Sequence, residues 1–380
     1  MKFLSTAILP FIILLLSLSC SLKGKNGLFA KKTDREKYAD KLLKDSGKLN
    51  PIVNAWLNAA EFSLNNPLNV SNNFFEKGRF YLNDSMASSF SVNVKQGQRI
   101  NVSLNIIAKK GFSVYMDMWE AGDSVLKKQP IFITASDTST NSMEYVILKD
   151  QKIIVRFQQQ LSLLGDYEFE INTNPLFYFP IDASVKSNIG SLWGDDRDAG
   201  VRKHEGIDIF ASKKSPVVAV ADGIISGVSV NELGGKVIFL RPENLNYNVY
   251  YAHLDSQLVA EGQQVIKGQT IGLVGNTGNA RFTAPHLHFG IYTMSGAVDP
   301  LLFVKAIPVV KKTTIQLPEK SNFVTARSTK LFYDIILKKP ILLLGQNVQV
   351  KVHAVVDNFY RIVTTDGKKG FVLIKDLKLI

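Results

Sequence analysis

From residue 74 onward, apolar and polar residues alternate with a period of two along much of the chain. Phe90, Val92 and Val94 alternate with polar residues, and the pattern resumes after a turn at residues 95–98. Successive side chains of a β-strand point to opposite faces, so this period is typical of strands that bury one face. The alternation therefore predicts a mainly β protein.

Helical signals are confined to a short segment before these strands. Thr33 and Glu36 have the spacing of a capping box, and Gly47 ends the predicted helix. Asn50-Pro51 then predicts the N-cap and first residue of a second helix. The apolar stripe of that helix comprises Ile52, Val53, Trp56, Leu57 and Ala60.

Length and composition indicate a multidomain globular chain. It has 380 residues, of which 46% are hydrophobic and 21% charged, which excludes a mostly disordered chain and a polytopic membrane protein. At about 150 residues per domain, the length predicts two or three domains. We divide the chain into residues 1–19 as a signal peptide, 20–73 as a lipid-anchored tether with two short helices, 74–175 as a jelly-roll-like β-sandwich, 176–305 as a glycine-rich β-sheet domain and 312–380 as a small β-rich module.

The first twenty residues carry an export signal. Lys2 precedes an apolar run at residues 7–16, which is shorter than the about 20 apolar residues that a membrane span needs. The single cysteine, Cys20, follows Ser17 and Ser19, and this pattern resembles a bacterial lipoprotein signal with Cys20 as the lipidated first residue. The alternative is an ordinary secretory signal cleaved at the same small residues. Both predict export, and lipidation predicts a membrane anchor facing the periplasm or cell envelope, on the outer membrane of a Gram-negative host.

Histidines are concentrated in the fourth of these segments. Four of the five lie within residues 176–305. His204 and Asp208 are four residues apart, while His286 and His288 are two apart and share one face of a strand. Histidine and aspartate bind zinc well, and three protein ligands plus water form a catalytic zinc site. The spacing leaves open which of the paired histidines is a ligand.

Two further histidines complete the set. His253 follows the β-rich run Tyr250-Tyr251-Ala252 and belongs with the cluster. His353 stands alone in an alternating segment, and we expect a structural role for it. Because the chain has one cysteine, an intramolecular disulfide and a cysteine-based structural zinc site are both excluded.

Three separated motifs resemble the LytM and lysostaphin type of zinc peptidase. They are His204-Glu205-Gly206-Ile207-Asp208, Tyr251-Ala252-His253-Leu254 and Pro285-His286-Leu287-His288-Phe289-Gly290, with glycine-punctuated turns at 262–272 and 275–278. The resemblance covers about residues 190–300. It implies a zinc endopeptidase acting on the peptides of bacterial peptidoglycan. It further implies one zinc ion held by His204, Asp208 and His288, with His253 and His286 as catalytic residues that do not bind the metal.

Two questions about this site stay open in the sequence. Some relatives have lost ligands and act as activators, so the alternative function is a non-catalytic scaffold that binds wall peptides or a partner hydrolase. Other relatives carry a blocking residue upstream of the first ligand, for which Asn188 is the candidate. The polar insertion at residues 194–198 predicts a loop beside the cleft.

The last module is strongly basic. Residues 301–380 hold 14 basic and 5 acidic residues, within a chain of formal net charge +12. Residues 312–380 resemble a bacterial SH3-like barrel at Tyr360-Arg361-Ile362-Val363 and Gly370-Phe371-Val372, which implies wall binding. Its charge suits an anionic wall polymer or membrane surface, whereas export excludes nucleic acid. The alternative is that its lysine pairs are solvated turns.

Overall fold

A computed structural model of the chain describes residues 31–47, 50–82, 86–108, 113–123, 128–161, 163–309, 312–336 and 339–380. The predicted signal peptide, Cys20 and the tether up to residue 30 lie outside these residues. Strands predominate in the described part, which confirms the mainly β prediction. Within the same part, no helix has both the length and the apolar character that a bilayer crossing requires.

Two helices precede the first strand, as the sequence predicts. They are α1 (Asp34–Ser46) and α2 (Pro51–Asn65). The predicted capping box is present, because Glu36 N–H donates to Thr33 Oγ1 and Thr33 N–H donates to the Glu36 carboxylate. The side chain of Asn50 caps α2 by accepting from two backbone N–H groups of its first turn.

Both helices pack against the strands that follow and do not project from them. Trp56 of α2 is fully buried, and its indole N–H donates to the carbonyl oxygen of Gln159 at 2.8 Å. Tyr38 of α1 stacks on Tyr115 with ring centroids 5.3 Å apart. Ile52, expected in the apolar stripe of α2, is instead 52% exposed. The helical half of the predicted tether is therefore part of the globular structure.

The N-terminal β-module (residues 68–175) is built from two groups of strands around an aromatic core. Its strands are β1 (Leu68–Asn69), β2 (Phe74–Phe80), β3 (Ala87–Val94), β4 (Gln98–Ala108), β5 (Val114–Glu120), β6 (Ile131–Ala135), β7 (Ser142–Val146), β8 (Gln151–Gln159) and β9 (Gly165–Pro175). One group has the order β6-β5-β8-β3-β1 and the other β2-β9-β4-β7. Phe90 and Phe157 of the first group lie 5.2 and 4.9 Å, between ring centroids, from Phe169 of the second.

The central β-module (residues 176–305) contains an antiparallel sheet with the order β10-β13-β21-β17-β16-β15-β19. Its elements are β10 (Asn188–Ser191), β11 (Asp196–Arg197), β12 (Arg202–Lys203), β13 (Ile207–Phe210), β14 (Pro216–Val218), β15 (Gly223–Asn231), β16 (Gly235–Pro242), β17 (Asn248–Leu254), β18 (Ser256–Gln257), β19 (Gln264–Val265), β20 (Thr270–Leu273), β21 (His286–Thr293), β22 (Gly296–Val298) and α3 (Leu301–Val304). Ile207, Ile209, Leu287 and Phe289 fill the core beneath the sheet. Because side chains alternate, Asp208, His286 and His288 point to the opposite face.

The C-terminal β-module (residues 312–380) joins the N-terminal β-module in one sheet. Its strands are β23 (Asn322–Thr325), β24 (Thr329–Asp334), β25 (Lys339–Leu344), β26 (Gln349–Val356), β27 (Phe359–Thr364), β28 (Lys369–Leu373) and β29 (Leu377–Leu379). β24 pairs with β1, and β26 pairs with β2. Phe332, Val356 and Phe371 enter the core of the N-terminal β-module. The two modules are thus continuous with each other, although the 136 residues 176–311 separate them in the sequence.

A buried ion pair lies at this junction. The Arg361 guanidinium donates to both carboxylate oxygens of Glu76, at 2.9 and 3.0 Å, and to the Tyr167 hydroxyl at 2.6 Å. The Tyr167 hydroxyl donates in turn to Glu76 at 2.8 Å. Gly78 leaves room for that ring, because a Cβ there would lie 2.2 Å from it. Each charge is satisfied in a site that water does not reach.

We predict that Glu76→Ala destabilises the chain by about 3–5 kcal/mol, because it leaves Arg361 buried and unpaired. The matched control is Glu144→Ala, which removes an exposed pair with Arg99 and should cost at most about 1 kcal/mol. Urea unfolding measures both. Equal destabilisation by the two substitutions would contradict the role of the buried pair.

Candidate metal centre

Strand register brings the first residues of the site together. Asp208 of β13 lies directly opposite His288 of β21, and His288 lies opposite Ala252 of β17. Directly opposite residues of an antiparallel pair have their side chains on the same face, with Cβ atoms about 4.5–5.5 Å apart. His204 reaches the same point from the segment that precedes β13. The predicted ligands therefore converge from three separate parts of the sequence.

The three side chains present one ligand atom each to a common point. His204 Nε2 is 3.0 Å from Asp208 Oδ1 and 3.0 Å from His288 Nδ1, and His288 Nδ1 is 3.1 Å from Asp208 Oδ1. Ligands about 2.0–2.1 Å from a tetrahedral zinc ion lie about 3.3 Å from one another. Within the described residues, this is the group of histidine, aspartate and glutamate side chains that can hold a metal ion.

Hydrogen bonds behind the cluster set which atoms face it. His204 Nδ1 lies 2.8 Å from the carbonyl oxygen of Leu192, so this nitrogen carries the proton and Nε2 presents a lone pair. Asp208 Oδ2 accepts from Arg197 at 2.7 Å, which leaves Oδ1 for the cluster. The lone pairs of His204 Nε2 and Asp208 Oδ1 thus face each other at 3.0 Å. A cation bound between these two atoms would remove their mutual repulsion. The donor set therefore fits a zinc ion.

The electrostatics of the cluster keep Asp208 ionised. Burial opposes its charge, but the contacts with His204 and His288 outweigh burial and hold the pKa of Asp208 well below its usual value. Burial lowers the pKa of His288, which favours the neutral imidazole that a metal requires. A carboxylate and two neutral imidazoles are the protonation states of a ready zinc site.

His253 reaches the site through a distortion of β17. The pairing of β17 with β16 shifts register between Tyr251 and Leu254, and His253 itself has φ +60°. Its N–H donates to Gly234 at 2.7 Å, which holds this uncommon conformation. The ring then lies 5.8 Å from that of His288, centroid to centroid. In a regular strand the His253 side chain would point away from the site. The bulge turns it toward the site.

His253 and His286, which are predicted not to bind the metal, share one orientation. His253 Nδ1 lies 3.0 Å from the Thr277 carbonyl oxygen, and His286 Nδ1 lies 2.8 Å from the Ala284 carbonyl oxygen. Each Nδ1 therefore carries a proton, which leaves Nε2 of each ring as the atom that can accept one. Their ring centroids are 5.0 Å apart. Burial, followed by the neighbouring histidines, lowers the pKa of His253 to about 4, so that it is neutral at pH 7.

A groove of about 1120 Å³ surrounds these residues. Its lining includes four aromatic side chains, namely Phe210, Phe239, Tyr250 and Tyr292. Gly206 borders the cluster, and a Cβ there would lie 2.7 Å from the His288 ring. This close approach explains the glycine two residues before Asp208. The volume of the groove has room for several residues of a peptide.

The structure places the remaining predicted residues as follows. Asn188 begins β10 opposite Phe210, whereas Ser191 is the β10 residue opposite Asp208. The insertion at 194–198 enters a short hairpin of β11 with β12. His353 is buried in β26 of the C-terminal β-module, against Tyr81. The sequence analysis missed Arg197 and Ser191, because charge and spacing along the chain do not reveal which residues lie behind a ligand.

Residues 202–300 match the sequence profile of peptidase family M23. The chain is 37% identical over 129 residues to an L-Ala–D-Glu endopeptidase of Bacillus subtilis, covering 32% of this chain and 39% of that protein. It is 39% identical over 89 residues to the peptidoglycan DD-endopeptidase ShyC of Vibrio cholerae, covering 23% and 20%. It is 34% identical over 128 residues to the murein hydrolase activator NlpD of Salmonella dublin, covering 33% and 30%.

These matches identify the central β-module as a peptidase family M23 domain of the LytM and lysostaphin type. The predicted family membership is confirmed for this domain. The matching segment spans between about a fifth and two fifths of the length of the three curated relatives. The resemblance of residues 312–380 to an SH3-like barrel stays a prediction.

The lowered pKa of His253 predicts a pH-dependent stability of the metal-free chain. Above pH 6.5 this histidine is neutral in both the folded and unfolded states. Between pH 6.5 and about 4 the unfolded chain binds a proton that the folded chain does not, so stability falls as the pH falls. The loss attributable to this residue approaches about 3 kcal/mol.

His253→Gln removes this contribution, so its stability should depend less steeply on pH over the same window. Urea unfolding of both metal-free proteins at pH 7, 6 and 5 makes the comparison, and the other acidic and histidine groups are common to both. Parallel pH profiles for the two proteins would show that folding does not perturb His253.

Proposed function

We propose that the chain is an exported zinc-dependent endopeptidase that hydrolyses peptide bonds of bacterial peptidoglycan. The observation that carries this proposal is the convergence of His204, Asp208 and His288 beside two further histidines in one groove. Two of the curated relatives are endopeptidases by name, one of them of peptidoglycan. All five positions of the family motif are filled in this sequence.

The residues divide into a metal-holding set and a proton-handling set. His204 Nε2, Asp208 Oδ1 and His288 Nδ1 would hold the zinc ion. When bound, zinc lowers the pKa of a coordinated water to about 7 and polarises a carbonyl group. The aromatic residues that line the groove offer apolar surface against which the substrate peptide can pack.

His253 and His286 remain to handle the proton of the attacking water. The buried ring of His253 is neutral at pH 7, and its lone pair at Nε2 can take this proton and pass it to the leaving amine. His286 is fixed in the same orientation by Ala284. By taking up a proton from solvent at Nε2, this ring becomes an imidazolium that can donate to the oxyanion that develops on the substrate carbonyl.

A second function rests on one of the relatives. The similarity to a murein hydrolase activator favours a scaffold that binds wall peptides or a partner hydrolase in the same groove. Such a role needs neither a metal nor the two non-ligand histidines. Retention of both sets in this chain favours the endopeptidase.

We further propose that Cys20 is lipidated and anchors the chain to a membrane facing the cell envelope. The basic C-terminal β-module would then contact an anionic wall polymer, as its resemblance to SH3-like wall-binding domains implies. Lys330 and Lys339 are exposed on its β24–β25 hairpin and supply positive charge for this contact.

If the chain is a zinc endopeptidase, some substitutions should abolish metal binding and activity together, while others should abolish activity alone. His204→Ala should lose zinc and activity together. His253→Ala and His286→Ala should keep zinc and lose activity by about 10²- to 10⁴-fold, because each removes a positioned acid or base. Elemental analysis of the purified chain and chromatography of digested peptidoglycan measure the two quantities.

The matched control is His353→Asn, which changes the one histidine outside the central β-module and should keep both zinc and activity. A parent chain that binds zinc and wall peptides but releases no fragments favours the scaffold. Full cleavage by the His253 and His286 variants would show that the assigned catalytic roles are wrong.

The anchoring proposal predicts that the parent chain resists salt washing and dissolves in detergent, since several acyl chains anchor a protein stably. Cys20→Ser should shift the protein to the soluble envelope fraction, as judged by fractionation and immunoblotting. If the variant stays with membranes until high salt releases it, surface charge holds the protein and lipidation does not.

A further inference from the structure

One arginine of the β11–β12 hairpin contacts the cluster of predicted metal ligands and also lines the groove. Arg197, on β11, donates through Nη2 to Asp208 Oδ2 at 2.7 Å and to Ser191 Oγ at 2.6 Å. Its side chain is 30% exposed, whereas that of Asp208 is 11% exposed. The guanidinium therefore covers the side of the carboxylate that faces away from His204 and His288.

The segment around this arginine also contacts the first predicted ligand. Ser191 Oγ donates to Asp195 Oδ2 at 2.9 Å, and that same oxygen accepts from Leu192 N–H at 2.7 Å. The Leu192 carbonyl oxygen accepts from His204 Nδ1 at 2.8 Å, and His204 N–H donates to the Asp195 carbonyl oxygen at 2.8 Å. One stretch of chain thus orients two of the three ligands.

The hairpin that carries Arg197 is fixed on both sides. β11 pairs with β12 through Asp196 with Lys203 and Arg197 with Arg202. Lys203 also forms an ion pair with Asp196, but both side chains are exposed, so the strand pairing and not this pair holds the hairpin. The predicted ligand His204 follows β12 directly. The hairpin therefore connects Arg197 to His204 through a short, paired stretch of backbone.

We propose that Arg197 is a positioning residue for the metal centre. Its guanidinium holds the Asp208 carboxylate so that only Oδ1 is available as a metal ligand. The proposal rests on the zinc site of the proposed function. With Oδ2 engaged by Arg197, the carboxylate cannot rotate freely, and Oδ1 stays 3.0 Å from His204 Nε2. Partners that orient ligands from behind typically change metal affinity or activity by about 10- to 100-fold when they are removed.

Two effects of the arginine oppose each other. Its positive charge repels a cation, while its hydrogen bond pre-orients the carboxylate that binds one. The guanidinium is partly exposed, so solvent screens its charge, whereas the orientation of the buried carboxylate depends on this contact. Orientation therefore predominates, and loss of Arg197 weakens metal binding.

The test compares zinc dissociation constants of the full chain and its variants, measured by competition with a chromophoric chelator. Arg197→Ala should bind zinc about 10- to 100-fold more weakly. The matched control is Lys203→Ala, which removes one positive charge from the same hairpin but pairs with Asp196 and not with a ligand. Its zinc affinity should stay within about twofold of the parent, since exposed pairs contribute little.

The melting temperature of the metal-free proteins separates positioning from folding. Metal-free Arg197→Ala should melt within about 3 °C of the parent, because its pair is partly exposed and contributes at most about 1 kcal/mol. A zinc affinity equal to that of the parent overturns the inference alone. Weakened affinity accompanied by a large fall in the metal-free melting temperature overturns it too, since the role is then structural. A parent chain that binds no zinc overturns both this inference and the proposed function.

Discussion

The pairing of Asp208 with His288 is the constraint on which the site depends. In an antiparallel sheet, this register places one carboxylate and one imidazole on the same face at a separation that a metal ion can bridge. A shift of one residue would exchange Asp208 with Ile207 or Ile209, which fill the core below. The apolar core therefore fixes the register, and the register fixes the ligands.

Backbone carbonyl groups complete this arrangement. Leu192, Thr277 and Ala284 each accept a hydrogen bond from the Nδ1 atom of a different histidine, so that three Nε2 lone pairs are available in one groove. These carbonyl groups lie in connecting segments, which the sheet holds in place. Rigid strands thus supply the position of the site, while the loops between them supply its protonation pattern.

The sequence predicts what local pattern determines. The period of two identifies strands such as Ile100–Ile106, which lie within β4, because burial of one face is visible along a single segment. The motifs around His204 and His288 were found from the concentration and spacing of their histidines and from their resemblance to a known family. The bulge at His253 could not be predicted, since a positive φ at a non-glycine residue depends on the hydrogen bond from its N–H to Gly234.

Long-range contacts also escaped the sequence analysis. The Glu76–Arg361 pair joins residues 285 positions apart, and neither residue belongs to a local motif that signals a buried partner. The two β-modules were consequently expected to be separate units, whereas their strands form one sheet. Arg197 lay in a segment expected only to be a loop beside the cleft. In each case the sequence does not identify the contact partner, which lies far away along the chain or in a neighbouring strand.

An anomalous difference map at the zinc edge, from crystals of the zinc-loaded chain, locates the metal ion. We expect one peak about 2.0–2.2 Å from His204 Nε2, Asp208 Oδ1 and His288 Nδ1, with His253 and His286 outside the coordination sphere. A peak elsewhere in the chain, or one with His253 or His286 among its ligands, would contradict this expectation.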